Sequence, residues 1–183
     1  YFLNNNFKED INNDKIEKHF CLAWAKLLKP LWSKESISIC PKEFMNIFKQ
    51  INKKLNKLLF VGFNQNDSSE CISLFFNYFH EGLKTYDYDI VITGNPKNIN
   101  DKIQLESYEQ FKKYIKKDGI SPITKYYGGQ FISQISNNYN NKISNTYDLF
   151  TNLDLEIPNK ENITLYDCFD LFTKTEKISG YKN

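Results

Sequence analysis

The stretch Phe60-Val61-Gly62-Phe63-Asn64-Gln65-Asn66-Asp67-Ser68-Ser69-Glu70-Cys71-Ile72, continued to Phe79-His80-Glu81-Gly82-Leu83, decides the fold. A helix is predicted to begin near Asn64 to Asp67 and to run to about Lys84. Cys71, Leu74, Phe75 and Tyr78 fall on one stripe of it, and Ile72, Phe76, Phe79 and Leu83 on the neighbouring one. So wide an apolar surface predicts burial on most sides. Asp67 and Glu70 share a face at the start of this helix. Two carboxylates so placed can grip one guanidinium. They can equally cap backbone amides and complement the macrodipole, and both roles can hold at once.

Upstream, Ile16, Phe20, Ala23, Trp24, Leu27, Leu28 and Leu31 recur at helical spacing, predicting an amphipathic helix from about Asp14 to Trp32. Pro41 suits the first turn of a second helix, with Ser38 a candidate cap and Phe44, Ile47, Phe48 and Ile51 on one face; Leu55, Leu58 and Leu59 extend or follow it. Downstream, Tyr86 to Thr93 reads as a short strand stopped by Gly94-Asn95-Pro96, and helical spacing returns at Tyr108, Phe111, Tyr114 and Ile115. After Gly119 extended runs take over. They are Ile120 to Tyr127, then Phe131 to Ser136 beyond a Gly128-Gly129 turn, then Phe150 to Ile157 ended by Pro158. Thr164 with Asp167 announces a last helix that carries Leu165, Cys168, Phe169 and Phe172. The layout predicts an α+β fold, helical first and β-rich second.

A chain of 183 residues has room for one domain or part of one. Every basic residue is lysine, and 24 of them against 22 acidic residues leave a net charge of +2, with no basic patch legible in the sequence; no nucleic-acid partner is expected. No apolar run is long enough to suggest a membrane partner, and no signal peptide is legible. Cys21, Cys40, Cys71 and Cys168 form no C-x-x-C pair, which predicts an intracellular, reduced protein. The asparagine-rich pieces Asn4-Asn5-Asn6 and Asn137-Asn138-Tyr139-Asn140-Asn141 read as loops. The chain opens on Tyr1-Phe2-Leu3 without a methionine, which suggests a fragment.

The Phe60-x-Gly62, Gln65-x-Asp67-x-x-Glu70 and His80-Glu81-x-Leu83 elements resemble the signature of ubiquitin-specific proteases, with F-x-G before Q-Q-D-x-x-E-F-L and L-H-E-x-L at the helix end. Neighbours agree in order. Leu31-Trp32 and Ser38-x-x-Pro41-x-x-Phe44 are similar to elements upstream of that helix. Ser121-Pro122-Ile123, Gly129-Gln130, Phe150-x-x-Leu153-x-Leu155-x-Ile157-Pro158, Leu165-x-x-Cys168 and Glu176-x-x-x-Gly180 are similar to elements downstream. The resemblance implies part of a papain-like cysteine peptidase of thumb, palm and fingers architecture, with residues 1–100 in the helical thumb and 101–183 at the start of the β-rich fingers and palm. It implies a thiol-dependent deubiquitinase whose partners are ubiquitin and ubiquitinated proteins. It assigns Gln65, Asp67 and Glu70 to binding the arginine-bearing tail of ubiquitin.

Isopeptide hydrolysis by such an enzyme needs a thiolate, a histidine base, a residue orienting it and oxyanion donors. The family's nucleophile box, G-N-T-C-[FY]-x-N-S, is expected before Tyr1 and its histidine box beyond Asn183, so no catalytic residue is assigned and this segment alone is expected to be inactive. Cys21, Cys71 and Cys168 occupy core-like positions that predict inert packing, and Cys40 is the most exposed of the four. His19 is expected at the surface, and His80 in a structural hydrogen bond. Where many relatives carry a zinc-binding C-x-x-C, this chain has Asn137 and Asn140, so no metal and no cofactor is expected. The alternatives are an inactive ubiquitin-binding pseudoenzyme and an α+β interaction protein unrelated to ubiquitin.

Overall fold

The computed structural model describes residues 1–57, 60, 62, 65–89, 91–137 and 142–177, with the side chains of Asn137 and Lys142 outside the description. A single 3-10 turn, Asn6–Lys8, leads into helices α1 (Lys18–Leu31), α2 (Lys42–Lys54) and α3 (Ser68–Leu83). The apolar stripes read from the sequence close on one another. Phe20, Cys21, Ala23 and Ala25 of α1, Phe44, Phe48 and Ile51 of α2, and Tyr78, Phe79 and Leu83 of α3 form one core, to which Phe7 adds a ring from the N-terminal turn. Inside it the Tyr78 hydroxyl donates to the buried Asn52 carboxamide, so a polar pair crosses the core fully matched.

Only the C-terminal half of α3 is buried as widely as expected. Ile72 is 53% exposed and Cys71 half-buried, because α1 and α2 cover the later turns and nothing among the described residues covers the outer side of the first two. Close approach of α1 and α3 depends on Gly82. A methyl group there would stand 2.7 Å from Cys21 Sγ and 3.0 Å from the Glu17 carbonyl.

The chain then passes through an irregular segment into α4 (Ile99–Asp118), a short α5 (Pro122–Tyr126) and an antiparallel hairpin of β1 (Gly129–Asn137) with β2 (Lys142–Phe150). The register pairs Gly129 with Phe150 and Ser136 with Ile143. Phe131 and Phe150 stack across it at 5.4 Å. The Tyr147 hydroxyl donates to Glu106 of α4 at 2.7 Å, and Ser107 of α4 bonds Gln130 of β1, which fixes the hairpin to that helix. Tyr1–Thr151 forms one compact unit and Asn152–Asn183 a second. In the second, Thr164 and Asp167 complete the expected capping box of α6 (Leu165–Phe172): Thr164 N donates to Asp167 Oδ2 at 2.8 Å and Asp167 N to Thr164 Oγ1 at 3.4 Å. No helix among the described residues is long and apolar enough to cross a membrane.

The structure is α+β, yet three predicted strands are corrected. Ile120 to Tyr127 is mostly the helix α5, started by Ser121 accepting from Thr124 N and by Pro122 in the first turn, a start signal that outweighs the local alternation. Tyr86 to Thr93 forms no strand among its described residues; only Thr85 bridges Ile120. Phe150 closes β2, and the residues that follow it to Ile157 are irregular, since alternation makes a strand only where a neighbour completes the ladder and no described residue does so. Helix α4 starts well before the spacing suggested, because Asn98 Oδ1 accepts from Asp101 N at 2.9 Å. Pro41, not Ser38, is the N-cap of α2. The expectations on Leu58, Leu59, Asn140 and Gly180 lie outside the described residues.

Gly82→Ala is expected to cost about 2 kcal/mol, since the added methyl meets backbone and a buried sulfur that cannot both give way. A urea-unfolding midpoint that falls with an unchanged slope checks it.

Candidate functional site

Helix α3 carries chemistry at both of its ends. At its start Asp67 is the N-cap, with Oδ1 accepting from Ser69 N at 2.6 Å and Glu70 N at 3.3 Å. Both bonds go to one oxygen, so the carboxylate caps the helix while keeping its charge at the exposed end. Glu70 is exposed one turn on, its carboxylate without a hydrogen bond or ion pair among the described residues, and Gln65 is exposed just upstream. The first turn thus displays two carboxylates favoured by the helix dipole and an amide beside them.

At its other end the helix turns inward. Glu70, Ser73, Asn77 and His80 follow one another along one side of α3, and the last three line a cavity of roughly 280 Å³ closed by Tyr114 and Asp118 of α4, Ile123 and Thr124 of α5, and Leu149 to Thr151 at the end of β2. His80 Nδ1 lies 2.9 Å from Ser121 Oγ and 3.2 Å from Thr124 Oγ1, and Nε2 lies 3.4 Å from Asp118 Oδ2 without forming a well-aligned hydrogen bond. Burial lowers the His80 pKa below its ordinary value, with the Asp118 charge opposing it, so the ring is held neutral.

A serine, a histidine and an aspartate in that order invite comparison with a nucleophilic triad. Ser121 is 1% exposed and its oxygen already accepts the Thr124 N–H that starts α5, so no substrate reaches it. The trio is a strut joining three helices. Nor does any of the four cysteines hydrogen-bond to a histidine among the described residues. Burial pushes the Cys21 thiol up to about 12 and that of Cys71 upward as well; Cys168 is buried against the Thr164 carbonyl, and Cys40 is exposed.

Beside the strut, Lys84 is only 6% exposed and its ammonium donates to Glu81 Oε1 at 2.7 Å and Asp118 Oδ1 at 3.0 Å. Glu81 Oε2 also takes Lys15 at 2.7 Å, and the Tyr114 hydroxyl donates to Asp118 Oδ2 at 2.9 Å. These partners outweigh the cost of burial, holding Glu81 and Asp118 below the usual carboxylate range and Lys84 above the usual lysine value. His80, Glu81 and Asp118 bring one ligand atom each to within 4.8 Å of one another, the spacing of a metal site. The lysine ammonium bonds to both carboxylates and supplies the cation this acidic cluster requires.

The sequence singled out Gln65, Asp67, Glu70 and His80; the structure places Glu70 and His80 on α3, Asp67 at its N-cap and Gln65 just upstream, without bringing Gln65, Asp67 or Glu70 into the cavity. Lys84, Tyr114, Asp118 and Ser121 were missed. Only Ser121, an N-cap followed by proline, left a local signal; the others converge through long-range packing.

The pattern of the ubiquitin carboxyl-terminal hydrolase family matches residues 1–176, and the chain belongs to that family. It is 27% identical to ubiquitin carboxyl-terminal hydrolase 4 of Candida glabrata, over 97% of this chain and 21% of that protein. It is 26% identical to ubiquitin carboxyl-terminal hydrolase 11 of Saccharomyces cerevisiae, over 98% of this chain and 26% of that protein. Against ubiquitin carboxyl-terminal hydrolase 2 of Gallus gallus it is 29% identical over 86% of this chain and 43% of that protein. The chain therefore spans less than half the length of these relatives, and its α+β structure is that of part of the family's papain-like domain.

Acid is expected to loosen the α3 strut in two stages. His80 has a folded pKa below 6.5, so the unfolded chain takes up the proton first and stability is lost as pH falls from 6.5 towards that lowered value. Glu81 and Asp118 are lowered from 4.5 and 3.8, so their contribution is present above those values and lost as pH falls further. Melting temperatures recorded across this range should show the first loss in the parent chain and lack it in His80→Asn.

Proposed function

We propose that this chain is the part of a thiol-dependent deubiquitinase that holds the C-terminal tail of ubiquitin, with Gln65, Asp67 and Glu70 as the grip. The observation that carries the reading is the exposed first turn of α3, where the Asp67 charge and the Glu70 carboxylate, which has no partner among the described residues, share one helix face. An arginine side chain presents a planar fork of donors that two carboxylates can meet together, and the Gln65 amide can add a hydrogen bond to the tail backbone. Membership of the family supports ubiquitin as the ligand.

In this reading residues 1–100 are the thumb and residues 101–183 begin the fingers and palm, supported by three packed helices followed by a two-stranded hairpin. Rigidity is what the buried end of α3 contributes. The His80 strut and the Lys84 ion pairs anchor the helix to α4 and α5, so that its first turn keeps one orientation while a flexible tail is ordered against it. Hydrolysis requires a reachable thiolate and a histidine that activates it, and the whole enzyme would have to supply both.

Replacing Asp67 by asparagine preserves an N-cap while removing the charge, so the double variant Asp67→Asn, Glu70→Gln separates the grip from helix stability. Its affinity for ubiquitin, titrated calorimetrically, is expected to fall about tenfold or more at unchanged helix content. Equal binding by variant and parent would remove these residues from the site.

A further inference from the structure

A second concave surface lies on another side of the Tyr1–Thr151 unit, formed by Tyr86 and Tyr88 of the irregular segment and Lys112, Ile115 and Lys116 of α4. We propose that it docks an acidic peptide segment of a partner protein. This inference is independent of the ubiquitin-tail reading.

The charge comes from helical spacing. Lys112 and Lys116 stand four apart and so share one side of α4, while the intervening Ile115 packs inward. Lys116 has no acidic partner among the described residues. From α5, Lys125 places its ammonium 5.1 Å from the centre of the Tyr88 ring. Both tyrosine rings are exposed, so their hydroxyls can serve as donors to a ligand. Cations, phenolic donors and apolar ring faces are together what an extended, carboxylate-bearing chain requires.

The protein itself shows a carboxylate in this place. Asp89, on the irregular segment that supplies the two tyrosines, sets Oδ1 3.7 Å from Lys112 Nζ, with both side chains more than half exposed. So open a pair holds weakly and exchanges readily for an incoming carboxylate. The same observation favours peptide over nucleic acid. Asp87, Asp89 and Glu109 are interspersed with the lysines in sequence, and the chain carries a net charge of only +2, which penalises a continuous phosphate backbone more than isolated carboxylates.

The probe is a fluorescein-labelled Asp-Gly repeat peptide, with its Asn-Gly counterpart as control, read by anisotropy on the full chain. The parent is expected to bind the acidic peptide and not the neutral one, weakening as salt rises from about 0.05 M to 0.3 M. Lys112→Glu with Lys116→Glu should reduce affinity about fivefold or more, whereas Lys53→Glu with Lys54→Glu, at the end of α2, should leave it within about twofold. Asp89→Asn should tighten binding by releasing Lys112, and Tyr88→Ala should weaken it at unchanged net charge. Equal losses from the two lysine pairs would overturn the proposal as mere attraction to net charge. So would no response to Tyr88→Ala, or tighter binding of a single-stranded oligonucleotide of matched charge.

Discussion

The ring of Phe20 lies where α1, α2 and α3 meet, its centroid 5.0 Å from Phe75 and Phe79, 5.3 Å from Phe44, 5.4 Å from Tyr78 and 5.9 Å from Phe48. Tilted and edge-on contacts of this kind align ring edges with ring faces, adding orientation to the non-directional gain of burial. They fix how far α3 is rotated about its axis. Gly82 sets how closely it approaches α1, because only hydrogen fits beside Cys21 and the Glu17 carbonyl. Rotation and depth together determine that Tyr78 and Phe79 point inward, that Ser73, Asn77 and His80 line the cavity, and that Glu70 remains outside.

From that placement the two ends of α3 acquire opposite characters. The first turn has two of its orphan amides, Ser69 N and Glu70 N, satisfied by Asp67 and faces water, where a charged group costs little to maintain and is open to a ligand. The last turn has lost most of its water, where an unpartnered polar group is costly, and His80 Nδ1 meets Ser121, Glu81 meets Lys15 and Lys84 meets Asp118. One helix therefore offers a display surface at one end and an anchored base at the other.

Individual residues show which parts were legible. Helical spacing in α1, α2 and α3 located the helices and much of their buried faces, because the helical period imprints burial on the sequence directly. The cap at Asp67 and the box at Thr164 were readable for the same local reason. Strand assignments after Gly119 fared worse. Alternation such as Leu153, Leu155, Ile157 records two unlike faces without naming a partner strand, and Ser121-Pro122 turned a supposed strand into a helix through capping alone. Motif order from Trp32 to Gly180 pointed to the family, and the family pattern over residues 1–176 established it.

By itself the sequence determined the α+β character and, through ordered motifs, pointed to the family, whose resemblance in turn implies the three candidate grip residues. Tertiary structure alone decided that Asp118 and Ser121 meet His80, that Lys84 fills an acidic cluster spaced for a metal ion, and that the two tyrosines of the irregular segment share a concavity with the lysines of α4. These contacts join residues as far as 41 positions apart in the case of His80 and Ser121. No local period encodes such a pairing; it exists only once the aromatic core has fixed where each helix lies.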